Sequence, residues 1–391
     1  MRVDKKHGYK FTEEFGLIPN DWEVVKIRNV AQIFGRIGFR GYTKDDIVSQ
    51  GYGAISLSPT NIKENGLSYD NNTYISWYKY EESPEIKIFN GDILLVKTGS
   101  SYGKSSIVEH LPQEATINPQ LIVFKNLKAN NKFFSYILKN RNFIEQIEKI
   151  VVGGAIPTLS QEQIYSFNII YPPLPEQEKI AEVLSDVDSL IDKTLGLINK
   201  KKNLKTATMQ KLLTPKDNWE CKTLGEITQN IYQPQTISQD VFTISGYPVF
   251  GANGKIGLYS DYNHEKAQVV VTCRGNSCGR INMTEPYSWI TGNAMVINVD
   301  NVEFDKKFLF YILSYIDLSI LITGSGQPQI VRNNLIEIKI FYPTISEQQK
   351  IATILSDMDL EIEMLQKELG KYQDLKIGIM QQLLTGKVRL L

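Results

Sequence analysis

A stretch of this chain occurs twice, 171 residues apart, and the two copies align without a gap. Tyr171-Pro172-Pro173-Leu174-Pro175-Glu176-Gln177-Glu178-Lys179-Ile180-Ala181 returns as Tyr342-Pro343-Thr344-Ile345-Ser346-Glu347-Gln348-Gln349-Lys350-Ile351-Ala352. The match runs on to Met209-Gln210-Lys211-Leu212-Leu213-Thr214 against Met380-Gln381-Gln382-Leu383-Leu384-Thr385. Close to half of the positions from Tyr171 to Lys216 are identical to their partners. A repeat of this kind constrains architecture before any local reading does. It predicts two similar halves, each a globular block followed by a long helix.

Both copies carry helix signals. Ser346 with Gln349 reads as a capping box, Glu347 sits in a first turn where the helix dipole favours it, and Pro175 takes an early helical position. Neither copy holds another proline before the stops at Thr214-Pro215 and Thr385-Gly386. Roughly 38 residues of helix would be about 57 Å long. In the second copy a four-three seam runs Ile351, Leu355, Met358, Ile362, Leu365, Leu369, Tyr372, Lys376, Ile379, Leu383, apolar throughout except at Lys376. The same frame in the first copy reads Ile180, Leu184, Val187, Ile191, Thr194, Ile198, Lys201, Lys205, Thr208, Leu212, with a neighbouring row at Val183, Leu190, Leu197 and Leu204 expected to compensate. A seam this long needs a partner helix along most of its length, and the other copy is the obvious candidate.

The blocks correspond as well. Asn20-Asp21-Trp22-Glu23 resembles Asp217-Asn218-Trp219-Glu220, and Asp92-Ile93-Leu94-Leu95-Val96-Lys97-Thr98-Gly99 matches Gln268-Val269-Val270-Val271-Thr272-Cys273-Arg274-Gly275. Phe134-Ser135-Tyr136-Ile137-Leu138 likewise echoes Leu309-Phe310-Tyr311-Ile312-Leu313. Alternating apolar residues punctuated by Gly, Asn and Pro predict short strands, with helices near 132–150 and 305–322. The expected fold class is α+β: two mixed α/β blocks in a pseudo-twofold repeat, each followed by a long helix. The expected divisions are 1–171 for a tail and first block, 172–216 for the first helix, 217–342 for the second block and 343–391 for the second helix. Repeat logic also places residues 1–18 near the end of the second helix, as the end of the first helix precedes Trp219.

Totals set bounds. The 43 basic and 43 acidic residues balance, so no strongly basic character advertises nucleic acid, and local basic loops are the remaining electrostatic route. Cys221, Cys273 and Cys278 form no disulfide framework, and no Cys/His cluster has zinc spacing. With no apolar run near the roughly 18 residues that span a bilayer and no signal-peptide core at the start, a cytoplasmic protein away from membranes is expected.

Gly99-Ser100-Ser101-Tyr102-Gly103-Lys104-Ser105 superficially resembles a phosphate-binding loop, but that motif needs four residues between its glycines and a helix after it. Here there are three, and Ser106-Ile107-Val108 reads as strand. Gly275-Asn276-Ser277-Cys278-Gly279-Arg280 shares the spacing. A strand-to-strand turn that offers Lys104 or Arg280 to a DNA phosphate fits both, with a solvated turn as the plainer alternative. No adenosylmethionine motif and no nuclease-like set of carboxylates with Lys is found, and His7, His110 and His264 are scattered; no catalytic residue, cofactor or metal site is expected. Candidate DNA contacts lie in polar loops: Arg36, Arg40 and Asn61, then Ser101, Tyr102 and Lys104, in the first block. In the second block they are Asn253, Lys255, Arg274, Asn276, Arg280, Gln327 and Gln329. Side chains of these types bond base edges and phosphates.

The duplicated P-P-L-P-E-Q-E-K-I-A motif at 172–181 and 343–352, the stretch D-I-L-L-V-K-T-G-S-S-Y-G-K at 92–104, and Phe250-Gly251-Ala252-Asn253-Gly254-Lys255-Ile256-Gly257 together resemble the DNA-specificity (S) subunits of type I restriction–modification systems. The resemblance covers essentially the whole chain. It implies that each block is a target recognition domain reading half of a split site in double-stranded DNA, and that the helices pair antiparallel as a ruler. It further implies docking of modification (M) methyltransferase subunits and of restriction (R) subunits, with no chemistry in this chain. Alternatives are a partner of a fused restriction–methylation polypeptide, a methyltransferase or nuclease with attached recognition domains, and a coiled-coil scaffold that never touches DNA.

Overall fold

Strand pairing in the two blocks follows one plan. In the computed structural model, which describes residues 8–63, 66–150, 158–252, 254–324 and 326–390, the first block has an antiparallel sheet ordered Ser105–Ile107, Ile93–Val96, Leu121–Lys125, Gln32–Gly35. The second repeats it as Ile281–Met283, Val269–Thr272, Ala294–Asn298, Asn230–Tyr232. Ile93–Val96 and Val269–Thr272 are buried at every residue. That suits central strands covered on both faces and explains their unbroken apolar runs. A second sheet pairs Gly53–Leu57 with Ala115–Ile117 in parallel, and its counterpart pairs Tyr247–Gly251 with Trp289–Ile290, also in parallel. The predicted helix near 132–150 is two helices, Asn131–Lys139 and Arg141–Ile150, and the other is Lys306–Tyr315 followed by a short turn of tighter helix at Leu318–Leu321.

Each block closes with a two-stranded ribbon that feeds its long helix. Asn168–Tyr171 pairs with Glu23–Lys26, and Lys339–Tyr342 pairs with Glu220–Thr223. The helices are Leu174–Leu213, 40 residues, and Ile345–Leu383, 39 residues. The second therefore starts before Ser346, which lies inside the first turn instead of capping it, so the expected Ser346–Gln349 box is not the device used. The start is closed from within. The Gln348 amide donates to the Pro343 carbonyl at 2.9 Å, while its oxygen accepts the Asp305 backbone N–H at 2.9 Å. Gln177 does the same with Pro172 at 2.8 Å and Asn130 at 2.9 Å. Both glutamines are buried. The duplicated Glu-Gln pair thus ties helix start to block because a buried amide must spend all its hydrogen-bonding groups.

The chain forms two compact units, Met1–Leu195 with Glu368–Leu391, and Gly196–Lys367. In the first, Ile180, Ala181 and Leu184 share a core with Trp22, Phe133, Phe134, Leu383 and Leu384. In the second, the repeat equivalents Ile351, Ala352 and Leu355 share one with Trp219, Phe308, Leu309 and Leu213. The helix segments are antiparallel within each unit. Asp188 pairs with Lys376 and Glu176 with Arg389 in one, and Lys205 pairs with Asp359 and Lys216 with Glu347 in the other. Of the seam candidates, Ile180, Leu184, Val187, Ile191, Ile351, Leu355 and Ile362 are buried, and Met358, Leu365 and Leu369 are half-buried. The expectation of a compensating second row is corrected: Val183 is half-buried, but Leu190, Leu197 and Leu204 are exposed, because the row lies off the contact face. The tail meets the end of the second helix as expected where it is described, with the Tyr9 hydroxyl donating to the Gly386 carbonyl at 2.9 Å; residues 1–7 lie outside the described residues.

The lysines that interrupt the seam have a specific use. In the first unit Lys376 pairs with Asp188, whose Oδ2 also accepts the Tyr136 hydroxyl at 2.7 Å. In the second Lys205 pairs with Asp359, whose Oδ2 accepts the Tyr311 hydroxyl at 2.8 Å. Each lysine also lies over its tyrosine ring, at 5.9 Å and 5.3 Å. Burial, chiefly, pushes both phenols up, so they keep their protons and donate. Asp and Lys have exchanged helices between the units, as equivalent positions of the repeat require.

Candidate nucleic-acid interface

The glycine motif is a strand-to-strand turn in both blocks, closed by the same hydrogen bonds. Tyr102 N–H donates to Gly99 at 3.1 Å and Gly103 N–H to Val96 at 2.9 Å; Cys278 N–H donates to Gly275 at 3.0 Å and Gly279 N–H to Thr272 at 2.8 Å. All four glycines have φ between 82° and 105°, a left-handed region that costs other residues dearly. At Gly103 a Cβ would also approach Ile147 Cδ1 to 3.3 Å. The spacing that mimicked a nucleotide loop is therefore the requirement of this turn, and the basic residue after it, Lys104 or Arg280, emerges exposed at the start of the next strand.

A second loop lies against that turn in the second unit. Arg274 forms an antiparallel bridge with Gln329. The Gly275 N–H donates to the Pro328 carbonyl at 3.0 Å, and the Ile330 N–H to the Cys273 carbonyl at 3.1 Å. Thr323 and Gln329 exchange backbone bonds at 2.8 and 2.9 Å, which holds the two ends of this loop together. Arg274, Asn276, Arg280, Gln327 and Gln329, which come from two stretches about fifty residues apart in sequence, thus share one surface, and all five are exposed. Among the described residues neither Arg274 nor Arg280 has an ion-pair partner. In the first unit the matching bridge joins Thr98 to Thr158, with the Leu159 N–H on the Lys97 carbonyl at 2.8 Å. Ser101 and Tyr102 are half-buried there and Lys104 is exposed.

The remaining candidates divide. Arg36, 4 % exposed, donates to the Ile117 carbonyl at 3.0 Å, to Thr116 Oγ1 at 3.1 Å and to the Arg40 carbonyl at 3.2 Å. Asn61, also 4 % exposed, bonds the Ser68 carbonyl, the Asn72 side chain and the Ser58 N–H. Both expectations are corrected: these side chains spend their donors inside the block, so neither presents a free edge. Arg40 is half-buried beside Glu85 at 3.6 Å, and Lys255 is exposed beside Glu285 at 3.4 Å. Asn253 lies outside the described residues.

Beneath the first unit's turn is a cleft of about 510 Å³, lined among the described residues by Ile62, Lys63, Tyr102, Gly103, Lys104, Ser105, Lys139 and Ile144. Sequence reading picked out Tyr102 and Lys104 here but not Lys63 or Lys139. Those two are brought in from other elements, and no local pattern marks them.

The chain matches the family described as the type I restriction modification DNA specificity domain over residues 19–203 and again over 216–371. It is 28 % identical, over its whole length and 98 % of the relative's, to the type I restriction enzyme MjaVIII specificity subunit of Methanocaldococcus jannaschii. The type I restriction enzyme EcoprrI specificity subunit of Escherichia coli is 25 % identical across 73 % of this chain and 80 % of its own. In fold it is similar to the crystal structure of a type I restriction–modification S subunit from M. genitalium, with a TM-score of 0.65 at 19 % identity, covering 96 % of this chain and 97 % of that one.

Proposed function

Because the chain belongs to the type I restriction–modification DNA specificity family, we propose that its two blocks, residues 1–171 and 217–342, each read one half of a split site in double-stranded DNA. The observation that carries this reading is the paired-loop surface of the second unit, where Arg274 and Arg280, without an ion-pair partner among the described residues, flank Asn276, Gln327 and Gln329. Arginines without a carboxylate partner suit phosphates, and the amides suit base edges. Ser101, Tyr102, Lys104 and Lys255 belong to the same role.

The chain supplies specificity and no chemistry; methylation belongs to M subunits that dock on the long helices, and cleavage to R subunits joined to that assembly in the cytoplasm. Exposed apolar side chains along the helices, Leu190 in the first unit and Ile354, Leu360 and Met364 in the second, support docking. The helices at 172–216 and 343–391 act as a spacer between the half-sites. Inserting four residues near Asn199 and four near Gly370 adds about 6 Å per helix, or one to two base pairs at ~3.4 Å each. Methylome sequencing is expected to show a longer spacer with both half-sites retained. Unchanged spacing with full methylation would assign the spacing to the M subunits.

A further inference from the structure

We infer that the cleft under the first unit's glycine turn is a DNA phosphate site, with Lys139 at its floor, Lys63 and Lys104 at its rim and the Ser105 hydroxyl as a donor. The inference rests on the DNA-reading function above and assigns part of that function to residues outside the loops. Four observations carry it. The cleft is concave and about 510 Å³ in volume, room for a backbone phosphate and its sugar. Its described lining holds three lysines and no carboxylate. None of the three has an ion-pair partner among the described residues, and the half-buried Lys139 goes without one where Lys79 and Lys125 are paired. Ser105 is only 6 % exposed and its Oγ has no hydrogen-bond partner among the described residues, which is costly unless a ligand completes it.

The way these groups come together argues for a built site. Lys139 ends the helix Asn131–Lys139, which lies across the strand Ser105–Ile107. Lys104 and Ser105 are adjacent on that strand as it leaves the glycine turn, and Lys63 comes from the small hairpin Ile62–Lys63 with Gly66–Leu67. Burial, then the nearby Lys376 charge, holds the Lys139 ammonium below its usual range, and an anion in the cleft would relieve both costs. The second block has no such arrangement in sequence. By the matched strands and helices, Ile281 stands where Ser105 does and Ser314 where Lys139 does, leaving Arg280 alone of the set. The first half-site is therefore held by one more buried phosphate contact than the second.

The test uses the full chain assembled with its modification partner. Equilibrium binding is measured on a duplex carrying the methylated site and on a scrambled duplex, across a salt series. Lys139→Gln is expected to weaken both duplexes by the same factor, severalfold to tenfold at moderate salt, and to lower the slope of log affinity against log salt by about 1. Lys63→Gln, at the exposed rim, is expected to do the same to a smaller extent, so the outcome stands even if the floor variant folds poorly. Lys139→Arg should keep the slope, and the methylome should be unchanged in all three. Unaltered slopes in both glutamine variants would overturn the assignment, as would a loss confined to the cognate duplex, which would mean base reading. Stabilisation by inorganic phosphate that Lys139→Gln abolishes, with DNA slopes unaltered, would give the cleft to a free anion and also overturn it. Failure of the unaltered assembly to bind either duplex would instead remove the DNA-reading function itself.

Discussion

The two junctions between block and helix begin from the same Glu-Gln pair and end in different chemistry. In the first unit Glu176 is wholly buried, accepting the Trp22 indole N–H at 2.7 Å and Arg389 Nε and Nη2 at 2.6 and 2.8 Å, while Arg389 also grips Asp21. In the second unit Glu347 turns to Lys216 at 2.7 Å and is half-buried. Trp219 keeps a cation over its ring, Lys216 at 5.9 Å, yet its indole N–H has no partner among the described residues. The reason lies in what surrounds the repeat. The first unit has Asp21 and the forked Arg389 to complete a network; the second has Asn218 in place of Asp21, and Lys216, a single ammonium, where Arg389 stands. Identical residues thus acquire different worth, since a buried carboxylate is retained only where every oxygen is satisfied.

The largest expected contrast follows from that difference. Glu176→Ala leaves the buried Trp22 indole N–H without its acceptor and Arg389 with Asp21 alone, and should cost about 3 kcal/mol, since breaking a buried pair is far costlier than losing a surface one. Glu347→Ala should cost less than about 1 kcal/mol. Denaturant unfolding with hydrogen exchange resolved to each unit measures both, and equal costs would erase the distinction between the junctions.

A smaller effect tests the opposite statement, that the tyrosine–aspartate–lysine stations are equivalent. Tyr136→Phe and Tyr311→Phe each delete one hydrogen bond to a carboxylate and should each cost about 1.5 kcal/mol. A difference larger than about 1 kcal/mol between them would show that the pseudo-twofold equivalence does not extend to energetics.

The smallest effect concerns acid. The hydrogen bond from Arg389 holds the Asp21 carboxyl below its ordinary value. A folded-state value below the unfolded one gives stability that is present above the unfolded value, about 3.9, and is lost as pH falls through the folded one. Carboxyl chemical shifts should therefore show Asp21 titrating below the unfolded value, about 3.9, and moving back toward it in Arg389→Gln. The second unit, with Asn218 there, offers no such titration.

How legible this molecule was depended on whether a feature was local or assembled. The long helices, the strand runs and the glycine turns could be read because period and turn glycines are properties of adjacent residues. The seam frame was also readable, and its lysines looked like defects until Asp188 and Asp359 appeared opposite them. Arg36 and Asn61 misled because loop composition says nothing about burial; each turned inward to satisfy backbone groups of its own block. Leu190, Leu197 and Leu204 misled because a seven-residue row reveals spacing but not which row meets the partner. Lys139 and Ser105 were invisible, since a helix end and a strand start meet only after folding.

The central claim is that each block reads its own half of a split site, and the methylome of cells carrying this chain with its modification partner tests it most directly. The unaltered chain should direct methylation to two short fixed segments separated by a constant, sequence-free gap. Asn276→Ala with Gln327→Ala, both on the second unit's loop surface, should relax the bases in one segment and leave the other segment and the gap untouched. A single continuous motif, or relaxation of both segments together, would contradict the account.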